Sequence, residues 1–243
     1  MNGIDVSRHN GNIDWQSVKA SGKADFCIIR AGYGKSISQK DAQFERNYAG
    51  AKAQGIPVGA YWYSYAITPA EAEAEARVFL QAIAGKQFEM PVYFDIEEKS
   101  ALNTGKNNVT AMCRAFCNVL EQAGYWCGIY ASRSHIQSYI STETQQRYSL
   151  WVAEWGAKCN YIGEVGMWQK SENGRIIGIA GNVDIDECYV DYPTVIKAAG
   201  KNGYQKTAET DSQPVAQPDA HDTVQVTMQV NGKPYSGVLV AVE

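Results

Sequence analysis

Asp95 and Glu97 stand two residues apart in the segment PVYFDIE at 91–97. On an extended strand side chains alternate, so Tyr93, Asp95 and Glu97 share one face and Val92, Phe94 and Ile96 the other. The two acidic Cα atoms then lie about 6.5–7 Å apart. Carboxyls this close, set among aromatic rings, push at least one pKa upward and separate into an acid and a base. Cleavage of a glycosidic bond requires that division of labour. Other segments repeat the pattern. Asp5 ends the run GIDVS with Gly3 and Ser7 on its face, Arg30 ends FCIIR, and Asp184 and Asp186 share a face of VDIDECYV. Their neighbours are apolar, so they do not read as ordinary solvated charges.

Competing chemistries fare worse. The three His, at 9, 135 and 221, are too scattered to supply a zinc triad. A G-x-S-x-G nucleophile elbow is absent, and no metal or cofactor is expected. His9 follows the first strand and is a candidate for the rim of a site. Cys27 and Cys127 sit inside strand-like runs, and Cys113 and Cys117 are spaced to face one another on a helix. With Cys159 and Cys188 they read as reduced structural thiols. Tyr33, Tyr61, Tyr63, Trp155 and Trp168 fall at or beside strand ends, where flat rings suit sugar faces.

Positioning these groups on one rim suits a closed barrel; an open doubly wound sheet is the runner-up, but the sequence lacks a Gly-rich phosphate loop between a strand and a helix. Strand-like runs occur at 3–7, 25–32, 57–65, 91–97, 126–132, 149–155, 165–170 and 183–190. Helical segments separate the first of them, near 14–20, 41–54, 69–84, 108–123 and 134–147. The segment 69–84 is the clearest, with Thr68 as cap, Pro69 in the first turn, Glu71 closing a capping box and Gly85 past the end. After the sixth strand long helices stop, and 156–164 and 171–182 read as loops. Strands alternating with helices imply a parallel sheet, and eight of them a closed, irregular TIM-like barrel of the α/β class with about five main helices. The barrel is expected over 1–200 and a Pro-containing linker over 201–222. A β-hairpin tail at 223–243 turns at Asn231-Gly232. A lone hairpin is marginal in water, so the tail is expected to need a surface, either the barrel or another copy of the chain in a homo-oligomer, or else to begin a further domain.

A length of 243 residues, 45% hydrophobic and 20% charged, excludes a disordered chain. A net charge of −4 argues against a nucleic-acid partner, and no apolar run is long enough to span a membrane. The first residues lack a basic stretch leading into an apolar run, so they do not read as a secretory signal. The expectation is a chain made in the cytoplasm, or alternatively secreted after processing.

The segments GIDVSRHNGNIDW at 3–15, FCIIRAGYG at 26–34, GAYWYSY at 59–65, PVYFDIE at 91–97, GIYAS at 128–132, LWVAEW at 150–155 and MWQKSENGRIIGIAGNVDID at 167–186 are similar to the glycoside hydrolase family 25 lysozymes, or N-acetylmuramidases, many of them phage endolysins. The resemblance covers roughly residues 3–196. It implies a barrel of five strand–helix units followed mainly by strands, peptidoglycan as partner, action at the bacterial cell wall, and hydrolysis of the β-1,4 bond between N-acetylmuramic acid and N-acetylglucosamine. It implies Glu97 as general acid, Asp95 as its partner, and Asp5 and Asp184 as two further site acids. Tyr61 and Tyr63 resemble substrate-lining aromatics and Arg30 a group that positions an acid or binds substrate. With Tyr33, Tyr130, Trp155 and Trp168 they form the expected substrate-binding set. Asp186 stands where the family usually has Asn, and Trp62 where many members have His. The attacking group is left open between the substrate's own acetamido group, oriented by Asp95, and a carboxylate-activated water. The alternative is a barrel that binds walls without cleaving them, against which the four acids argue.

Overall fold

The computed structural model describes residues 1–206, 223–230 and 233–240. Strands β1 (Asn2–Val6), β2 (Phe26–Tyr33), β3 (Val58–Tyr63), β4 (Val92–Asp95), β5 (Cys127–Ser132), β6 (Ser149–Ala153), β7 (Met167–Gly174) and β8 (Val183–Cys188) close into one barrel in sequence order. Neighbours from β1 to β7 pair in parallel, while β8 runs antiparallel to both β7 and β1. The reversal falls in the last third of the barrel, where long helices stop and strand follows strand. The short β7–β8 connection is a hairpin, and a hairpin joins only antiparallel strands.

Helices α1 (Trp15–Ala20), α2 (Phe44–Ala53), α3 (Pro69–Ile83), α4 (Lys99–Leu102), α5 (Lys106–Gln122), α6 (Arg133–Tyr139), α7 (Thr142–Arg147) and α8 (Tyr192–Ala198) complete the unit. Thr68 caps α3, its side chain accepting from the Glu71 N–H, with Pro69 in the first turn. The helix expected over 134–147 is two pieces. Ser141 leaves the helical region and caps α7 by accepting from the Thr144 N–H. Helix α8 was not expected. It is short, begins from an Asp191 cap with a proline in its first turn, and buries Tyr192 and Ile196. Strand β7 also continues through 171–174, where a loop was expected.

The alternation read in the sequence sorts the packing. Ile4, Val6, Cys27, Ile29, Val58, Ala60, Val92, Phe94, Ile129 and Val152 join the layer between strands and helices. Phe26, Ile28, Tyr93, Trp151 and Met167 face the barrel interior, together with Tyr192 and Ile196 of α8. Two inward glycines make room for inward rings. A Cβ on Gly3 would meet the Phe26 ring at 2.2 Å, and one on Gly128 the Tyr93 ring at 2.5 Å. Trp62 points outward, wholly buried, stacked on Phe79 at 5.5 Å between centroids. Its indole N–H donates to the Gly34 carbonyl at 3.0 Å, so an indole completes this layer without disturbing the interior.

The linker was expected to start at 201, but residues up to Lys206 pack on the barrel. Asn202 is fully buried, donating to the Met90 carbonyl at 2.9 Å and accepting from the Trp126 N–H at 2.7 Å. That segment seals the amino ends of β4 and β5, and a long-range contact of this kind has no local sequence signature. Cys113 and Cys117 were expected to face one another, but Cys117 meets Cys127 across the α5–β5 contact, Sγ to Sγ 3.1 Å. A second unit contains β9 (Thr223–Val230) and β10 (Lys233–Val240), an antiparallel pair. The Asn231-Gly232 turn and most of the expected linker lie outside the described residues. Among the described residues no helix is long and apolar enough to cross a membrane.

Candidate active site

The inward side chains that remain above the aromatic layer are polar, and they meet at the carboxyl ends of the parallel strands. A cavity of about 360 Å³ opens there, lined by Asp5, Arg30, Tyr61, Tyr63, Asp95, Glu97, Tyr130 and Asp184, with His9, Gln169, Glu172 and Asn182 among its other walls. Eight sequence-derived candidates therefore meet in one hollow. Strand register explains the closest of these approaches. Asp5 pairs directly with Asp184 across the antiparallel β1–β8 ladder, and Tyr63 sits beside Asp95 across β3–β4.

Each acid is held above the usual carboxylate range. Burial raises Asp95 well upward, the Glu97 charge adds to it, and Arg30 opposes. Asp95 is 3% exposed, and its Oδ1 has no hydrogen-bond partner. Glu97 is raised by burial, then by Glu98 and Asp184. Burial and then Glu172 push Asp184 up to about 6. Burial, Asp186 and Asp184 raise Asp5 well above its ordinary value, against a hydrogen bond from Gln169. Carboxyls that keep protons near neutrality can donate them to a substrate oxygen, and their ionised neighbours can accept.

Three expected residues lie outside the cavity wall. Tyr33 packs edge-on against Tyr65 at 6.0 Å beneath the Arg8 guanidinium, in a patch that includes Tyr63, 5.2 Å from Tyr65. Trp155 is 59% exposed, its indole N–H reaching Gln169 Oε1 at 3.3 Å. Trp168 faces away from the interior because its neighbours Met167 and Gln169 take the inward positions of β7. It is buried and donates to the Glu154 carbonyl at 2.7 Å. Arg30 lines the cavity, but its ion pair is with Asp41, Nη2 to Oδ2 2.7 Å, rather than with a site acid.

Sequence reading missed several participants. Gln169 donates to Asp5 at 2.8 Å and accepts from the Tyr130 hydroxyl at 3.0 Å, tying two walls together. Its signal was available, since it shares a strand face with Met167. Glu98 accepts from the Tyr63 hydroxyl at 3.1 Å. Asp41, buried behind Arg30, also accepts from the Arg8 N–H at 3.1 Å and follows no strand pattern. Among the described residues no group of three His, Cys, Asp or Glu side chains is arranged to hold a metal ion.

A TIM-like barrel with buried carboxyls gathered at the carboxyl ends of its strands defines the class of protein. The chain belongs to glycosyl hydrolases family 25, whose model matches residues 4–179. It is similar to the autolytic lysozyme of Clostridium acetobutylicum, 28% identical over 192 residues that cover 77% of this chain and 55% of that protein. The chain thus spans little more than half of that relative's length. Among solved structures it is similar to the CTP1L endolysin, with a TM-score of 0.71 and 30% identity over 81% of this chain and 69% of that one. It is also similar to the modular autolysin LytC of Streptococcus pneumoniae in complex with a synthetic peptidoglycan ligand. That likeness has a TM-score of 0.67 and 26% identity, over 76% of this chain and 46% of that one.

Proposed function

We propose that the chain is a lysozyme acting on bacterial peptidoglycan, cleaving the β-1,4 bond between N-acetylmuramic acid and N-acetylglucosamine. The observation that carries this reading is the convergence of Asp5, Asp95, Glu97 and Asp184 in one cavity, with burial and neighbouring carboxylates holding all four above the ordinary carboxylate range. The LytC structure with a peptidoglycan ligand supports the choice of polymer.

In this reading Glu97 protonates the leaving oxygen. It stands past the end of β4, less buried than Asp95, and its raised proton affinity keeps the acid form available. Asp95 Oδ1, without a protein partner, accepts from the substrate's acetamido N–H and aims that group's oxygen at the anomeric carbon. Departure of the leaving sugar is then met by the substrate's own oxygen, and water opens the resulting ring with net retention. Tyr61, Tyr63 and Tyr130 line the hollow and Trp155 stands exposed beside it, offering ring faces to the glycan. Clearing of purified cell walls by the wild type, set against Glu97→Gln, tests the assignment. Equal clearing by both proteins would remove Glu97 as the acid. NMR of the first-formed product anomer tests the route, and an inverted anomer would replace the acetamido group with an activated water.

A further inference from the structure

Asp186 lies one inward position below Asp184 on β8, where it is opposite Gly3 of β1 and Gln169 of β7. It is completely buried and does not line the cavity. Its Oδ1 accepts from the Trp151 indole N–H at 2.9 Å, while Oδ2 has no hydrogen-bond partner. The Trp151 ring is itself fixed, 4.5 Å from the Tyr130 ring, 5.2 Å from Tyr93 and 6.0 Å from Tyr61.

The groups acting on Asp186 come from several strands. Asp184 on its own strand repels its charge, and Asp5 on β1 is within hydrogen-bonding reach of its carboxyl, a contact that opposes the upward push of burial. Tyr93 on β4 and the Cys27 and Cys188 thiols are neutral neighbours that its charge pushes upward. The cation felt there among the described residues is Lys170 on β7, whose ammonium is engaged with Glu187 at 3.2 Å. A wholly buried carboxylate with one neutral donor cannot hold its charge against a second carboxylate beside it. One proton held between Asp5 and Asp186 removes that conflict. Asp5 has the better claim to the charge, because it borders the cavity and accepts from the Gln169 amide at 2.8 Å.

We propose that Asp186 is a positioning residue: a neutral carboxylic acid whose O–H donates to Asp5, holding Asp5 ionised with its free edge toward the substrate. The Trp151 N–H on Oδ1 leaves Oδ2 to carry the proton. The inference deepens the hydrolytic reading of this cavity and rests on it for the consequence at Asp5, though not for the proton itself.

The test uses the full chain labelled with carbon-13 at the aspartate carboxyls. At pH 7 the carboxyl resonances in the protonated range are expected to include one that disappears in Asp186→Asn. An Asn amide can take over both contacts, donating to Asp5 and accepting from Trp151, so Asp186→Asn keeps kcat on peptidoglycan within about twofold. Asp186→Leu fills the space without a donor and lowers kcat about tenfold at little-changed KM, the loss of one hydrogen bond to a charged group. A wild type without a protonated aspartate that Asp186→Asn removes would overturn the proposal, as would an Asn variant as impaired as the Leu variant. Should Asp186→Leu fail to fold, the resonance and the Asn variant still decide. A wild type that shows the resonance but never cleaves peptidoglycan would sink the hydrolytic reading and leave the shared proton standing.

Discussion

The two ends of the barrel bury the same kind of side chain and treat it in opposite ways. At the amino end Glu89 is 9% exposed, and at the carboxyl end Asp95 is 3% exposed. Burial pushes Glu89 upward, but Lys52, the Tyr204 hydroxyl and the Val58 N–H outweigh it and hold the carboxyl below its ordinary range. Asp95 meets burial plus the Glu97 charge, and the Arg30 charge does not offset them. Burial alone therefore does not mark a site. A buried acid that borders the cavity with an oxygen left unpartnered is the better pointer, because the fold bears a cost there that a bound group can relieve.

The largest effect that tests this contrast is on turnover. Glu97→Gln should lower kcat by about 10²–10⁴-fold while leaving the protein folded, read by release of reducing ends and by a thermal melt. At the other end the signs reverse. Glu89→Leu leaves Lys52, Tyr204 and the Val58 N–H without an acceptor, and should cost about 3 kcal/mol of stability by urea denaturation with kcat nearly unchanged. A Glu89→Leu protein that kept its stability but lost turnover would erase the distinction between the two ends.

A smaller effect follows from the sign of each shift. Asp95 has a raised folded pKa, so its contribution favours the fold at low pH and is lost as pH rises through that value. Asp95→Asn should therefore melt above the wild type at pH 8, with the gap closing toward pH 4. Glu89 has a lowered folded pKa, so its contribution is present above the unfolded value and is lost as pH falls. A gap for Asp95→Asn that widened on acidification would contradict the assignment.

The smallest effect concerns the chain end. Ending the chain after Lys206 should shift the barrel's melt by less than about 0.5 kcal/mol. Ending it after Gly200 also removes Asn202 and Tyr204 from the amino-end seal and should lower the melt clearly. We further propose that β9 and β10 join two copies of the chain. An unchanged mass by light scattering after removal of 207–243 would dispose of that idea.

What was legible in the sequence followed from period two. Asp95 and Glu97, Asp5, Arg30 and Asp184 could be placed on inward faces because each sits in a run whose other face is aliphatic. The eight strands were legible for the same reason. What escaped depends on contacts far apart in the chain. Asp41 stands in a loop and, besides a local bond from the Gln43 N–H, is defined by Arg30 and Arg8 reaching it. Asn202 acts on residues 112 and 76 positions away. Trp168 shows the converse failure. Its aromatic type suggested a sugar platform, but the alternation already visible in MWQK turns it outward.

The reversed eighth strand has a consequence for how this cavity can change. Around most of the rim, a strand end runs on into a segment that must return across the outside of the barrel, so its length is tied to the helical layer. Between β7 and β8 the chain turns straight back, with Glu172 near the end of β7 and Asn182 and Asp184 where β8 begins. This wall needs no crossover helix, but its turn is docked on α1: the Gly178 carbonyl accepts from the Asp14 N–H at 2.9 Å, and Ile176 and Ile179 join the buried layer between strands and helices. A change in its length must therefore preserve that anchor rather than a whole crossover.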